Sequence, residues 1–123
     1  MDRILLIDDD ESIVEVIRMI LEEERYKVLS YPNGLSIEEK VREVKPDLVL
    51  IDYLLPGKNG AEIVKWLRTN QQTKTIPIIM ISTSKIYKKE AEEAGVDEFL
   101  EKPFDMYELV NVVKRYSKRP LSL

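Results

Sequence analysis

The sequence predicts an α/β domain in which one parallel five-stranded sheet carries helices on both faces. Three observations predict it. Five short apolar runs alternate with five longer amphipathic stretches. Two of the runs, Asp47–Ile51 and Ile76–Ile81, are apolar without polar alternation, as strands covered on both faces require. The length, 123 residues, is near the commonest size for one domain with one core.

Each element has its own signal. Arg3–Ile7 reads as the first strand. Glu11 to about Glu24 follows as a helix, with Ile13, Val16, Ile17, Ile20 and Leu21 at helical spacing and Asp10 as its N-cap. Lys27–Tyr31 reads as a second, more exposed strand, closed by the turn residues Pro32, Asn33 and Gly34. Ser36 and Glu39 have capping-box spacing ahead of a helix that places Ile37, Val41 and Val44 on one face. After the third strand, Asp47–Ile51, the loop Pro56–Gly60 leads into a helix over Ala61–Thr69 with Ile63, Val64 and Leu67 inward. Ile76–Ile81 is the fourth strand. Lys85–Ala94 reads as a short charged helix stopped by Gly95, and Phe99–Leu100 as a short last strand. Asp105 and Glu108 then cap a final helix, which Phe104 and Leu109 would staple and whose buried stripe is Leu109, Val112, Val113 and Tyr116. Right-handed crossovers follow from the parallel arrangement.

Composition narrows the chemistry. Apolar residues make up 44% and charged residues 34%, the balance of a folded soluble chain. The net charge of −4 argues against a generic nucleic-acid or membrane-surface binder. Cysteine and histidine are both absent, which excludes disulfides, thiolate and imidazole metal sites and Cys nucleophiles. Any metal must be a hard cation held by oxygen. The first apolar run is too short and too soon followed by acids for a signal peptide or a membrane span, so the cytosol is the expected location.

In an open parallel sheet, ligands bind outside the carboxyl ends of the strands. Asp8, Asp9 and Asp10 follow the first run, Asp52 the third, Ser82 the fourth, and Lys102 with Pro103 the fifth. Asp8, Asp9 and Asp52 would crowd like charge into a small space, which is costly unless a cation sits among them. An all-oxygen site with room for water suits Mg²⁺. Asp52 would be a carboxylate nucleophile beside it, with Lys102 and the Ser82 hydroxyl meeting phosphoryl oxygens.

The stretches Ile4 to Asp10, Pro46 to Gly57, Ile78 to Ser82 and Phe99 to Phe104 resemble the receiver domain of two-component response regulators. The resemblance covers Arg3 to about Tyr116, in the family's motif order. It implies a flavodoxin-like (CheY-like) fold with strand order 2-1-3-4-5, occupying 1–119, with 120–123 as a tail. It implies a signalling phosphoacceptor that assists its own phosphorylation and dephosphorylation rather than a turnover enzyme. Asp52 matches the phosphoacceptor, Asp9 the direct Mg²⁺ ligand, Asp8 the acid acting through water, and the Leu54 carbonyl the third protein ligand. Ser82 matches the hydroxyl that turns toward the phosphoryl group, Lys102 the family lysine, and Phe99 the aromatic rotamer switch. Lys102–Pro103 matches a peptide commonly cis in the family. The implied donor is the phosphohistidine of a sensor histidine kinase or phosphotransfer protein. The output is a protein target, and a homodimer through the last helix and its neighbours is suggested. No direct nucleic-acid contact and no membrane contact are expected, in line with the net charge, and the chain is either a stand-alone receiver or the receiver of a longer regulator.

Three departures qualify the match. Ser82 to Gly95 is about two residues shorter than usual in the family. Phe99 replaces a frequent tyrosine. Leu54 stands where fast-hydrolysing members carry a polar side chain, which predicts slow self-dephosphorylation. Two other readings remain. A haloacid-dehalogenase-like phosphatase would use Asp8 as nucleophile and Asp10 as acid/base, although the chain is short for that fold and lacks a cap. A receiver-like scaffold would work by protein contacts alone. The basic residues Lys85, Lys88, Lys89, Lys114, Arg115, Lys118 and Arg119 read as a solvated face.

Overall fold

The computed structural model describes residues 2–117. The expected domain boundary at 119 and the residues Lys118 and Arg119 lie outside that range. The strands are β1 (Arg3–Ile7), β2 (Lys27–Tyr31), β3 (Leu48–Asp52), β4 (Ile78–Ser82) and β5 (Glu98–Glu101). The helices are α1 (Glu11–Glu23), α2 (Ile37–Val44), α3 (Gly60–Thr69), α4 (Lys88–Ala94) and α5 (Met106–Tyr116). A single 3₁₀ turn, Lys85–Tyr87, precedes α4. All strand pairs are parallel and the order is β2-β1-β3-β4-β5, the flavodoxin-like arrangement.

Side-chain alternation divides the core. Ile4 and Leu6 of β1, Leu48 and Leu50 of β3, and Ile79 and Ile81 of β4 point to the face covered by α1 and α5. Leu5, Ile7, Val49, Ile51, Ile78 and Met80 point to the face covered by α2, α3 and α4. Every residue of β3 and β4 is buried, which explains why these two strands show no polar alternation. Each fully buried Ile or Leu contributes roughly 2 kcal/mol of transfer free energy. The sheet is therefore a rigid base that fixes its strand ends.

Capping sets most helix entrances. Asp10 accepts through its side chain from the N–H groups of Ser12 and Ile13. Asn59 with Glu62 and Asp105 with Glu108 form capping boxes on α3 and α5. Phe104 packs on the cluster that contains Leu109, as a staple would. Gly95 ends α4 with φ +113°, a conformation that glycine adopts without strain.

Several sequence expectations are corrected. Ser36 and Glu39 do not form a capping box: Ser36 has φ +56° and makes no side-chain cap bond. A capping side chain needs an extended backbone at the N-cap, and the left-handed conformation of Ser36 does not supply it. Val16 is 50% exposed, and Val14 takes its place in the α1 core stripe with Ile17 and Leu21. With apolar residues at both 13 and 14 and at both 16 and 17, helical periodicity alone could not choose the face. The third and fourth strands run later than the apolar runs, through Asp52 and Ser82, because Pro46 and Pro77 hold the chain before them irregular. The last strand extends beyond Phe99–Leu100 by one residue at each end. The helix over Lys85–Ala94 is divided into the 3₁₀ turn and a seven-residue α4.

Candidate active site at the carboxyl edge of the sheet

Register brings the acids together. Ile7 pairs with Ile51, so Asp8 and Asp52 leave adjacent strands at the same level. Asp52 pairs with Ile81, one residue before Ser82. Ser82 pairs with Glu101, one residue before Lys102, and the Lys102 N–H donates to the Ser82 carbonyl at 2.7 Å. The Lys102–Pro103 peptide is cis, as the resemblance implied.

One carboxylate oxygen from each of Asp8, Asp9 and Asp52 lies within 4.8 Å of the other two. Asp8 and Asp52 are buried and Asp9 is exposed. The Asp10 N–H donates to Oδ1 of Asp8 at 2.9 Å and orients it. Lys102, with 10% of its side chain exposed, donates through Nζ to Oδ2 of Asp8 at 3.1 Å and to Oδ2 of Asp52 at 3.4 Å. One ammonium thus bridges two buried carboxylates. Burial pushes the pKa of Asp52 above its ordinary value. The Lys102 charge opposes that shift, the Asp8 charge adds to it, and hydrogen bonds from Lys102 and the Leu54 backbone lower it again.

The donor set fits a hard divalent cation. It is made of carboxylates, with one exposed member where water can complete the shell. Two oxygens on one octahedral Mg²⁺ are roughly 3–4 Å apart, so a 4.8 Å cluster needs only small side-chain closure. A cleft of about 360 Å³ opens beside Asp8 and Asp9, between Glu11, Glu15 and Tyr31.

The remaining expected residues are placed as follows. Ser82 is fully buried, and its Oγ accepts from the Ser84 N–H at 3.2 Å. Phe99, opposite Met80 on β5, is half-buried against the α2–α3–α4 side of the core. Leu54 is 52% exposed at the mouth of the site. Asp10, by contrast, spends its carboxylate on the start of α1, at 3.0 Å from the Ser12 nitrogen and 3.3 Å from that of Ile13. That engagement removes it as an acid/base.

Two features escaped sequence reasoning. Gly60 packs so closely on the Asp52 carbonyl that a Cβ there has no room. The signal was a glycine just after the Pro56–Gly57 turn, which reads equally well as ordinary loop chemistry. Tyr53, next to Asp52, is 8% exposed and donates its hydroxyl to Glu90 of α4 at 2.8 Å. Its ring stacks on Tyr87 with centroids 3.9 Å apart and planes at 14°. No sequence signal marked that cluster. Of the basic residues, Lys85, Lys114 and Arg115 pair with Glu101, Glu24 and Glu98, which fits a solvated face.

A match of the family profile described as the response regulator receiver domain covers residues 4–114. The chain belongs to that family. The DNA-binding response regulator MtrA of Mycobacterium tuberculosis strain H37Rv is 35% identical over 119 residues, 95% of this chain and 51% of MtrA. The phosphate regulon regulatory protein PhoB of Pseudomonas aeruginosa is 36% identical over 118 residues, 94% of this chain and 52% of PhoB. This receiver chain therefore spans about half the length of these curated relatives. A crystal structure of a putative response regulator from Chloroflexus aurantiacus superposes with TM-score 0.91 at 32% identity, covering 96% of this chain and 98% of the other. No described helix of the receiver is long and apolar enough to cross a membrane.

Proposed function

We propose that this receiver takes a phosphoryl group onto Asp52 from the phosphohistidine of a sensor kinase or phosphotransfer protein in the cytosol. The modified domain then changes its affinity for a protein target. The observation that carries the reading is the convergence of Asp8, Asp52 and Lys102 at three strand ends.

The chemistry needs little beyond position and charge. Oδ2 or Oδ1 of Asp52 attacks phosphorus in line. The new O–P bond forms as the P–N bond to the donor imidazole breaks, and the imidazole nitrogen leaves with the electron pair. Asp9, Asp52 and the Leu54 carbonyl would hold Mg²⁺ directly, with Asp8 acting through water; the ion supplies charge neutralisation for the phosphoryl oxygens. Lys102 then exchanges its carboxylate contact at Asp52 for a phosphoryl oxygen. Ser82 turns its Oγ from the Ser84 backbone toward another. Phe99 follows, and the surface around α4, β5 and α5 shifts between two populations.

The test is intact-mass spectrometry after treatment with acetyl phosphate and Mg²⁺. Wild type gains one phosphoryl group, and Asp52→Asn gains none. A label that maps to Asp8 would favour the phosphatase reading, and no uptake of phosphoryl or beryllofluoride would favour a pure scaffold.

A further inference from the structure

A pocket of about 530 Å³ lies between α2 and α3, within the size range of small-molecule sites. None of its lining residues is a strand-end acid, Ser82 or Lys102, so it stands apart from the phosphoryl chemistry. Both helices and the turns leading into them build its wall. Ile37 of α2, Ile63 and Trp66 of α3, and Pro56 supply apolar surface. Leu35 lines it too, yet is 72% exposed. An apolar side chain left in water at a pocket gains when something apolar covers it. The turn that carries Leu35 is held in place, because Gly34 packs so closely on Ile63 that a Cβ there would strike that side chain. Ser36, the next residue, has φ +56° and no cap bond in return, and strain of this kind gathers at ligand clamps.

The charged groups of the wall divide into engaged and free. Arg42 pairs with Glu38 at 3.6 Å, and Glu62 accepts from the Asn59 N–H in the capping box of α3. Lys58 and Glu39 are exposed and have no hydrogen-bond or ion-pair partner among the described residues. The pocket therefore joins an apolar, aromatic surface to one free ammonium and one free carboxylate. A purely apolar occupant would leave both charges without a counterpart, and a singly charged one would leave one. An apolar body that carries both signs of charge meets all three features.

We infer that the α2–α3 pocket binds a small zwitterion with an apolar or aromatic body, of the amino-acid class. Lys58 meets its carboxylate, Glu39 its ammonium group, and Trp66 with Leu35 its body. The inference is independent of the acceptor role of Asp52, and it is tested without a phosphodonor or a metal ion.

Trp66 is the only tryptophan of the chain, so its emission reports on the pocket directly. The full chain in EDTA is titrated with L-phenylalanine, 2-phenylethylamine and 3-phenylpropionate. Phenylalanine gives a saturable change with a millimolar midpoint. Each analogue lacks one charge and binds roughly two- to fivefold more weakly, the worth of one exposed ion pair. Two variants at exposed positions then cross over. Lys58→Met weakens phenylalanine to the level of phenylethylamine and leaves phenylethylamine unmoved. Glu39→Gln weakens it to the level of phenylpropionate and leaves phenylpropionate unmoved. Methyl NMR in the same titrations shows shifts at Leu35, Ile37 and Ile63. The absence of a saturable change, equal midpoints for the three ligands, variants that fail to cross over, or shifts confined to another surface would each overturn the assignment.

Discussion

Lys102 donates to Asp8 at 3.1 Å, a shorter contact than the 3.4 Å it makes to Asp52. The ammonium is thus shared between the proposed water-linked metal acid and the proposed phosphoacceptor. Removing it leaves two buried carboxylates without a cation. Lys102→Met therefore loses roughly 3 kcal/mol in EDTA at neutral pH, read by urea denaturation. Mg²⁺ raises the unfolding midpoint of the variant more than that of wild type, because the ion meets a site freed of its competitor. Equal stability in EDTA would show that Lys102 does not balance these acids.

Asp52 gives a pH dependence of definite sign. Its folded pKa is raised, chiefly by burial, so the folded chain holds the proton more tightly than the unfolded chain. Ionisation then lowers stability as pH rises from the ordinary value of 3.8 through the folded pKa, and the whole penalty is present above it. Asp52→Asn removes the penalty. In EDTA the variant melts above wild type at pH 7, and the difference disappears below pH 3.8. An advantage that persists in acid would trace to packing instead.

Gly60 limits what can be built under the acceptor. A Cβ at this position meets the Asp52 carbonyl, which is backbone of a fully buried strand and cannot step aside. Gly60→Ala costs about 2 kcal/mol by urea denaturation. It also slows phosphoryl uptake from acetyl phosphate, because β3 must shift to admit the methyl group. A variant as stable as wild type would mean that α3 absorbs the change.

The helix caps separate what spacing can reveal from what it cannot. Asp105→Ala removes a formed capping box and costs about 1 kcal/mol in thermal or urea denaturation. Ser36→Ala costs almost nothing, since Ser36 makes no cap bond, and Ser36→Gly gains about 1 kcal/mol by relieving its left-handed backbone. Equal losses at the two alanine sites would contradict the difference in geometry.

The same contrast runs through the molecule. Asp8, Asp52, Ser82 and Lys102 were legible because a parallel sheet gathers whatever follows its strands, and apolar runs mark where strands stop. Asp10 was legible because a cap acts within three residues. The two serine-led and aspartate-led pairs, Ser36 with Glu39 and Asp105 with Glu108, look alike in sequence, and only backbone dihedrals distinguish them. Val14 and Val16 differ by two residues, a rotation that leaves one in the core and the other in water. The Tyr53, Tyr87 and Glu90 cluster was illegible because its parts come from three elements, and no periodicity links residues 37 apart.

Leu54 bears on how long the signal would last. Its side chain is 52% exposed, two residues beyond the acceptor. An apolar group there cannot orient a water for attack on an acyl phosphate. Leu54→Asn supplies an amide at the same position without disturbing the backbone groups. Loss of phosphoryl from Asp52, followed by intact mass after the donor is removed, then speeds by on the order of tenfold, equivalent to about 1.4 kcal/mol of barrier. Binding of Mg²⁺, measured by calorimetry, stays unchanged, because the Leu54 carbonyl belongs to the main chain. A variant that keeps its phosphoryl group as long as wild type would place the limiting control of lifetime elsewhere in the site, with Ser84 beyond Ser82 as the next position to vary.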